Sequence, residues 1–335
     1  MMLSRDELAE PLEILPPVEF AFSYGSGVFP QPADRAMQEK PMIDYILGVS
    51  SPADWHTKNI DKNPHHYSSW LAKFGGNWVS GVAEKVGVGV HFNPFVPWKD
   101  KKIKYGVIGM DNLKSDITTW KTLYISGRLQ KPISVLVDKH DVEVLNVNNL
   151  KAALYAALLL APPEFTEEEL YMNICSLSYL GDIRMFFAED KQKVQKIVRG
   201  STERFRGLYR ASVLDAEKAG LLSTPPSFGV DPQAKLYQNV SMSEVATLVG
   251  GLPKAVLARL AAQTGVSAEG QRSDISMAVA QSKVGHQQLV RRAIGRIVRR
   301  SSIRQSVSGF FAAGGFNAVH YVIQKSSKAW RSWMR

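Results

Sequence analysis

The segments FAFSYGSGVFPQ (residues 20–31) and PMIDYILGV (residues 41–49) decide the fold of the first half of this chain. Each contains an apolar run with the length and composition of a β-strand, and the first run ends in a Gly-Ser-Gly turn at 25–27. Glycine has no Cβ, so such a turn either closes tightly or lets a ligand approach the backbone. Successive N–H groups in a turn can form a concavity that binds anions. The sequence therefore predicts a structural turn or a phosphate-binding turn.

A strand, a Gly-Ser turn and a second strand that contains an acidic residue are typical of the nucleotidyltransferase fold of DNA polymerase β-like enzymes. In that arrangement the turn holds a triphosphate, and Ser26 would donate its hydroxyl proton to a phosphate oxygen. Asp44 would bind Mg²⁺, which orients in-line attack at the α-phosphorus. The usual motif has a second carboxylate two residues after the first, but here that residue is Ile46. The pattern therefore leaves the second metal ligand open.

Strands and helices alternate through residues 1–150. Apolar runs predict strands of a mixed sheet at 17–24, 41–49, 88–92, 103–110 and 132–138. Ser51 and Pro52 have the residue types of a helix cap and a first helical turn. We therefore expect an α/β nucleotidyltransferase domain over residues 1–150.

From Val142 onward the pattern becomes helical. Thr166 and Glu169 have the spacing of a capping box at the start of one of these helices. A segment rich in Pro and Gly follows at 221–233. The sequence therefore predicts a mostly helical domain over residues 151–225 and a helical C-terminal region over residues 226–335.

Cysteine content and hydrophobicity exclude some classes of protein. Cys175 is the only cysteine, so the chain has no intramolecular disulfide. No run reaches the ~18–20 consecutive apolar residues of a spanning helix. The first twenty residues carry five acidic side chains and one arginine, the opposite of a transit peptide. We expect either a protein that is not imported or a targeting segment upstream of this numbering.

Eight segments in order, between about residues 18 and 315, resemble the mitochondrial-type phosphatidate cytidylyltransferases, also called the translocator assembly and maintenance family. They are YGSGVFPQ, MIDYILGV, ADWHTKN, HHYSSW, IKYGVIG, YISGRLQKPISV, SLSYLGDIRMFFAEDKQKV and SSIRQSVSGFFAAG. The resemblance implies synthesis of CDP-diacylglycerol from CTP and phosphatidic acid with Mg²⁺. It also implies a winged-helix-like second domain and peripheral attachment to the matrix face of the mitochondrial inner membrane.

The resemblance assigns individual residues to roles in this reaction. Gly25, Ser26 and Gly27 resemble the turn that cradles phosphate, and Asp44 resembles the metal ligand. Lys131 would stabilise the charge that develops on the leaving pyrophosphate, unless it is simply a solvated lysine in a loop. We therefore predict as catalytic residues Ser26, Asp44 and Lys131.

A wider set of residues is expected to contact the substrates. The predicted substrate-binding residues are Tyr24, Gly25, Ser26, Gly27, His56, Arg128, Asp182, Arg184, Lys191 and Lys193. A lone histidine on a helix is more often structural, which is the alternative for His56. A salt-bridged loop that leads into a solvated helix is the alternative for residues 181–193.

The position of Ile46 leaves a metal ion at Asp44 without its usual second ligand. Asp116, in KSDITTW, is the candidate second ligand, and Asp111 is the second choice. Either acid could instead stabilise the N-terminus of a helix through the helix dipole. The cofactor that we expect is Mg²⁺.

The C-terminal region carries the net positive charge. Residues 275–335 contain eleven Lys and Arg residues and no Asp or Glu, whereas the whole chain has 41 basic and 31 acidic residues. A basic amphipathic region with aromatic residues suits an anionic membrane surface; RNA, a partner protein or packing on its own domain are alternatives. We predict membrane contacts by Arg296, Arg299, Arg300, Phe310, Phe311, Trp330 and Trp333.

These observations predict a CTP:phosphatidate cytidylyltransferase at the matrix side of the mitochondrial inner membrane. Its partners would be CTP, phosphatidic acid and an anionic membrane surface, with no nucleic acid expected. Two other functions stay open. One is a nucleotidyltransferase that acts on RNA, and the other is a non-catalytic membrane-associated assembly factor, which the missing carboxylate at Ile46 would permit.

Overall fold

A five-stranded mixed sheet organises the first part of the chain in the computed structural model, which describes residues 3–29, 42–187, 192–267 and 270–312. Its strands are β1 (Phe20–Tyr24), β2 (Ile43–Val49), β3 (Val90–Trp98), β4 (Lys101–Gly109) and β5 (Ser134–Asp138). The order across the sheet is β3-β4-β2-β1-β5. β2 and β4 run parallel, and the other neighbouring pairs run antiparallel. The five predicted strands and the mixed sheet are confirmed.

Helices cover this sheet on both faces. They are α1 (Arg5–Ala9), a 3₁₀ helix (Glu10–Ile14), α2 (Pro52–Lys62), a 3₁₀ helix (Pro64–His66), α3 (Ser69–Lys85), α4 (Met110–Thr119) and α5 (Ser126–Leu129). Successive residues of β2 point to opposite faces, so Tyr45 packs in the cluster that contains Trp55, and Ile46 packs in the cluster that contains Phe22. As predicted, the Ser51 hydroxyl caps α2 by accepting from the N–H of Asp54.

Helices dominate the rest of the chain. The elements are α6 (Val142–Leu160), β6 (Glu164–Thr166), α7 (Glu167–Ser176), a 3₁₀ helix (Leu177–Tyr179), α8 (Arg184–Phe187), α9 (Lys193–Arg199), α10 (Thr202–Lys218), β7 (Lys235–Tyr237), α11 (Met242–Gly250), α12 (Lys254–Thr264), α13 (Arg272–Ala280) and α14 (His286–Ala312). The predicted capping box at the start of α7 is present. The Thr166 hydroxyl accepts from the N–H of Glu169, and the backbone N–H of Thr166 donates to the Glu169 carboxylate.

One apolar core joins these helices around α6, which is buried on nearly all sides from Leu150 to Leu160. This core includes Leu177 from the predicted second segment and Leu260 from the predicted third. β6 and β7 also pair antiparallel across that predicted boundary. The described residues of the predicted second and third segments, as far as residue 312, therefore share a core, and the predicted boundary at residue 150 falls inside α6. The nucleotidyltransferase and winged-helix assignments stay predictions.

Helix α14 connects the helical core to the sheet. Val290 and Ile294 lie in the helical core, whereas Gln305 donates to the carbonyl of Val90 in β3. Arg304 donates to the carbonyls of Lys85 and Val86 at the C-terminal end of α3, which satisfies acceptors that a helix end leaves unpaired. α14 is therefore a structural helix whose outer face alone is available for other contacts. None of the helices in the described ranges is long and apolar enough to cross a membrane.

Candidate active site

The Gly-Ser-Gly turn follows β1 and lies beside the start of β2. Gly25 has φ +85°, a conformation that favours glycine, and its carbonyl accepts from the N–H groups of Val28 and Phe29. A Cβ on Gly27 would stand 2.5 Å from the carbonyl oxygen of Met42, so that position excludes every side chain. Both glycines are required for the backbone to pass this closely. The turn is therefore tight, and Gly25 is also exposed to a ligand.

Asp44 faces this turn from β2. Its Cα is paired with that of Tyr24 across the β1–β2 ladder. A Cβ on Gly25 would stand 3.2 Å from Oδ2 of Asp44, whereas Oδ1 lies 3.4 Å from Nζ of Lys104. The two oxygens therefore have different neighbours: Oδ2 lies beside the turn and Oδ1 beside an ammonium group. This brings together Asp44 and Gly25 as the sequence predicted.

The residue in place of a second carboxylate is buried. Ile46 is fully buried beneath the sheet with Phe20 and Phe22. In the ranges that the structure describes, no three His, Cys, Asp or Glu side chains lie close enough together to hold a metal ion. Asp44 therefore has no ring of other acidic ligands among those residues.

The geometry of Asp116 contradicts its predicted role as a metal ligand. Its side chain is buried, and Oδ1 accepts from the N–H groups of Thr122 and Leu123 and from the Thr122 hydroxyl. Oδ2 accepts from the N–H groups of Tyr124, Ile125 and Ser126 and from the Ser126 hydroxyl. Seven donors leave no lone pair for a metal ion. Asp116 instead fixes the 122–126 segment that leads into α5.

That segment presents a cation to the site. Arg128 in α5 lies over the Tyr124 ring at 4.0 Å and over the Tyr24 ring at 5.5 Å, and donates to the Tyr124 carbonyl at 2.7 Å. Burial alone would raise the pKa of the Tyr124 phenol, but the charges of Arg128, Arg184 and Lys104 lower it below its ordinary value. Three cations therefore create a positive potential around Tyr124, as an anion-binding site requires.

Arg184 comes to this cluster from the second half of the chain. Its guanidinium is held by Asp182, with Nε 3.0 Å from Oδ1 and Nη2 2.5 Å from Oδ2. It lies 6.0 Å from the centre of the Tyr124 ring. Asp182 is buried beneath it, so the carboxylate orients the arginine, and the arginine is the residue that faces the site.

Lys131 and Lys193 share one aromatic ring. Their Nζ atoms lie 4.6 and 5.3 Å from the centre of the Tyr179 ring, and Lys131 donates to the Ser178 hydroxyl at 2.7 Å. Burial raises the pKa of the Cys175 thiol, and the charges of both lysines act in the opposite direction. The structure thus brings together two predicted cations that are far apart in sequence.

The prediction that His56 contacts a substrate is contradicted. His56 is fully buried, and its Nδ1 lies 2.8 Å from the hydroxyl of Tyr67. Asn59 donates to the hydroxyls of Tyr67 and Tyr105, and His66 Nδ1 lies 2.8 Å from the Tyr105 hydroxyl. Burial lowers the pKa of His56 well below its ordinary value. The ring is therefore neutral and structural.

Sequence reasoning missed Lys104 and Tyr124. Lys104 lies on β4 directly opposite Asp44, but the alternation of β4 does not show which strand pairs with β2. The parallel β2–β4 pairing is the signal that would have found it. Lys191, Trp330 and Trp333 lie outside the described residues, as does the side chain of Phe311.

A family model and several known proteins match this chain over most of its length. The family model for "Phosphatidate cytidylyltransferase, mitochondrial" matches residues 8–328. A protein of that name from Danio rerio is 38% identical over 322 residues, which cover 94% of this chain and 91% of the relative. Its counterpart from Rattus norvegicus is 37% identical and covers 95% and 92%. The counterpart from Schizosaccharomyces pombe is 35% identical and covers 93% and 80%.

The matched region includes the Gly-Ser-Gly turn, Asp44 and the cations from both halves of the chain. A match that spans nearly the whole chain, at more than a third identity, is enough to establish membership. The chain belongs to the mitochondrial phosphatidate cytidylyltransferase family.

Proposed function

We propose that this protein is a Mg²⁺-dependent CTP:phosphatidate cytidylyltransferase, which makes CDP-diacylglycerol and pyrophosphate. The observation that carries the proposal is the Gly-Ser-Gly turn at 25–27 beside the Asp44 carboxylate. The turn can bind phosphate through backbone N–H groups, and the carboxylate can bind a divalent cation. The choice of phosphatidate and of a cytidylyl group rests on the names of the relatives.

The oxygen atoms beside the turn suit Mg²⁺. This ion prefers oxygen ligands and is usually held by one or two carboxylates, substrate phosphates and water. Oδ2 of Asp44, which lies beside the turn, would hold the ion, and the Ser26 hydroxyl would donate to a phosphate oxygen. When bound, the ion would neutralise phosphate charge and orient the α-phosphorus for in-line attack.

The nucleophile is a phosphate oxygen of phosphatidic acid. A phosphate monoester is largely ionised near neutral pH, so the reaction needs no strong general base. The oxygen forms a bond to the α-phosphorus of CTP while the bond from that phosphorus to the bridging oxygen breaks. The electron pair leaves with pyrophosphate. The protein supplies positioning and charge neutralisation.

We assign a different phosphate group to each of two pairs of cations, the arginine pair and the lysine pair. We assign the phosphate of phosphatidic acid to Arg128 and Arg184, because planar guanidinium groups bind phosphate through paired hydrogen bonds. Asp182 fixes one of the two guanidinium groups before the substrate arrives. Lys131 and Lys193, which lie together at Tyr179, are assigned to the leaving pyrophosphate.

We also propose that the protein attaches peripherally to the matrix face of the mitochondrial inner membrane. The proposal is supported by the exposed Arg296, Arg299 and Arg300 on the outer face of α14 and by the mitochondrial names of the relatives. Cations near an anionic surface each contribute ~1 kcal/mol to binding. Attachment would bring the site to the bilayer that holds its lipid substrate.

One experiment tests the proposed function. Pure protein is incubated with labelled CTP, Mg²⁺ and vesicles that contain phosphatidic acid, and labelled lipid is measured. We expect lipid product from the wild type, and a loss of about a thousandfold in Asp44→Asn, as follows from several kcal/mol of lost charge stabilisation. Asp54→Asn, an exposed acid in the first turn of α2, is the matched control and should keep wild-type activity.

The other outcomes contradict the proposal. Lipid product that is equal in Asp44→Asn and in the wild type would remove Asp44 from the mechanism. Absence of lipid product, together with salt-sensitive binding of RNA, would favour an RNA nucleotidyltransferase. Absence of both product and metal-dependent CTP binding would favour an assembly factor.

A further inference from the structure

The ammonium group of Lys104 lies beside the Asp44 carboxylate, with Nζ 3.4 Å from Oδ1. We propose that its ammonium group is the second cation of the site: it neutralises Oδ1 of Asp44 and contacts the α-phosphate of CTP, so that the reaction uses one Mg²⁺ ion. This inference rests on the proposed function. It makes Lys104 a catalytic residue that neither the motif nor the names of the relatives assign.

Strand pairing fixes the position of Lys104. β2 and β4 are parallel neighbours in the sheet, and the Cα of Asp44 is paired with that of Lys104. Nζ of Lys104 lies 3.4 Å from Oδ1 of Asp44 and 4.7 Å from the centre of the Phe92 ring. The ion pair and the ring restrict the ammonium group from two sides. Its side chain is still 24% exposed, so it can reach a ligand.

The two oxygens of the Asp44 carboxylate have different neighbours. Oδ2 of Asp44 lies beside the Gly25 turn, where a phosphate-bound metal ion would reach it, whereas Oδ1 is engaged by Lys104. A second metal ion that bridged the same carboxylate through Oδ1 would have to displace the ammonium group. If the ammonium group stayed in place, it and the metal ion would repel each other strongly, because charges in a protein site are screened less than in bulk water.

Among the residues that the structure describes, a second metal ion would also lack further acidic ligands. Ile46, at the position of the usual second carboxylate, is buried in the core. All seven hydrogen bonds to Asp116 are made by its own loop. The described residues contain no group of three possible metal ligands. A fixed ammonium group in the same place removes the need for these ligands.

The charge of Lys104 also reaches the neighbouring phosphate site. Together with Arg128 and Arg184 it acts to lower the pKa of the Tyr124 phenol, against the effect of burial. Lys104 and Arg128 also lie over the same Phe92 ring, with Nζ and Cζ 4.7 and 6.0 Å from its centre. In the proposed reaction, the α-phosphate of CTP and the phosphate of phosphatidic acid meet beside these cations.

Lys104 keeps its proton throughout the proposed step. The ammonium group donates a hydrogen bond to a non-bridging oxygen of the α-phosphate, where negative charge is spread in the transition state. The phosphatidate oxygen forms its bond to phosphorus as the bond to the pyrophosphate oxygen breaks. No electron pair or proton passes through the lysine, which acts only through its charge and its hydrogen bond.

The inference is tested by measuring metal binding separately from turnover. Mn²⁺ alone is titrated into the protein and followed by electron paramagnetic resonance, for the wild type, Lys104→Gln and Lys102→Gln. Lys102, exposed on the same strand, is the matched control and should behave as the wild type. Because Lys104→Gln removes a competing cation from Asp44, we expect it to bind Mn²⁺ severalfold more tightly, although its kcat falls about a hundredfold.

Two results would overturn the inference. If Lys104→Gln weakens Mn²⁺ binding and lowers kcat together, the lysine only orients Asp44. If its kcat stays within about threefold of the wild type, the lysine does not contact the reacting phosphate. As a second measurement, the wild type with an α,β-methylene analogue of CTP should bind one Mn²⁺ ion, and two ions would also overturn the inference.

Failure of the proposed function gives a different pattern. In that case the wild type forms no CDP-diacylglycerol, or Asp44→Asn binds Mn²⁺ as tightly as the wild type. Thermal unfolding of each variant is measured in parallel. Lys104→Gln that unfolds at the wild-type temperature shows that its lower kcat is not caused by loss of the fold.

Discussion

The buried carboxylate of Asp182 holds the guanidinium of Arg184 through hydrogen bonds to both of its oxygens, at 3.0 Å for Nε–Oδ1 and 2.5 Å for Nη2–Oδ2. The two residues are only two positions apart, and the N–H of Arg184 also donates to Oδ1 at 2.9 Å. The side chains are 3% and 34% exposed, so the acid is buried under an arginine that still reaches solvent. The pair therefore holds a cation in a fixed position near the Tyr124 ring.

Substitution of this pair should raise the KM for phosphatidic acid. We expect Arg184→Gln to raise it about thirtyfold, because a charge-assisted contact with phosphate contributes ~2 kcal/mol. Asp182→Asn should raise it less, because the arginine remains but is no longer oriented. Since both act through one guanidinium, the double variant should be no worse than Arg184→Gln alone.

The measurement is steady-state kinetics with phosphatidic acid in mixed vesicles, with CTP in excess. Arg199→Gln is the matched control, since Arg199 pairs with Glu168 at an exposed position on α9. Its KM should equal that of the wild type. A double variant with the summed loss of the single variants would show that Asp182 contacts the substrate itself.

Asp116 should matter for stability and not for metal binding. Asp116→Ala removes the acceptor for five backbone N–H groups and two hydroxyls, and several of these donors are buried. An unsatisfied buried donor costs about 1–3 kcal/mol, so the free energy of unfolding should fall by about 4 kcal/mol or more. Denaturant titration measures this change.

Metal binding separates this role from that of Asp44. Mn²⁺ affinity should be unchanged in folded Asp116→Ala, whereas Asp44→Asn should lose it. Asp111→Ala serves as the control on the same helix, because Asp111 is exposed in the first turn of α4. Lower Mn²⁺ affinity with unchanged unfolding of Asp116→Ala would restore the metal-ligand interpretation.

The sequence predicted the elements of the sheet because each strand is a separate apolar run. It could not predict the pairing of β2 with β4, since this pairing joins residues about sixty positions apart. Lys104 was missed for that reason. The turn at Gly25 and the carboxylate of Asp44 were predicted together because they stand on successive predicted strands and in two segments that carry the family resemblance.

Errors arose where a residue type suits two environments. Asp116 and His56 both have side chains that serve metal ions or phosphates, but Asp116 accepts hydrogen bonds from its own loop, and His56 is buried with its Nδ1 beside the Tyr67 hydroxyl. Their partners lie on a loop after α4 and on a segment after α2, and no local spacing reveals such contacts. Arg128 and Arg184 could be named from the resemblance, but their convergence on Tyr124 depends on packing between the two halves of the chain.

The buried histidines should make stability depend on pH. Burial lowers the pKa of His66 and of His91 to about 4, whereas unfolded histidine titrates near 6.5. Between these values the unfolded chain binds more protons than the folded chain. The contribution of these two histidines to the free energy of unfolding is therefore fully present above pH 6.5. It is lost as the pH drops toward 4, by up to ~1.4 kcal/mol per pH unit for each histidine.

Removal of one histidine isolates this effect from the titration of carboxylates. We expect His91→Gln to reduce the slope of unfolding free energy against pH by about one proton between pH 6.5 and 4. Glutamine can still reach Asn93, the partner of the His91 ring. His65→Gln, at an exposed position beside His66, removes only a charge that adds to the effect of burial on the pKa of His66, so it should reduce the slope much less than His91→Gln does. Equal slopes for His91→Gln and the wild type would show that His91 is not held neutral.

The outer face of α14 should determine affinity for anionic membranes. Arg296, Arg299 and Arg300 are exposed on it, and Ile303 and Phe310 follow on the same helix with 41% and 51% of their surface exposed. Each cation near the surface contributes ~1 kcal/mol, so replacing all three arginines by glutamine should weaken vesicle binding about a hundredfold. The inner face of α14 is not touched, and thermal unfolding should therefore be unchanged.

Flotation with vesicles that contain phosphatidic acid, compared with vesicles of phosphatidylcholine alone, measures this binding. The matched control replaces three exposed cations of other helices, Arg210, Lys218 and Lys254, by glutamine. Because both triple variants have the same net charge, only a contact that is specific to α14 separates them. Equal loss in the two variants would show that the total charge, and not this helix, draws the protein to the membrane. Activity on soluble short-chain phosphatidic acid should survive the α14 substitutions, since those arginines are not assigned to the active site.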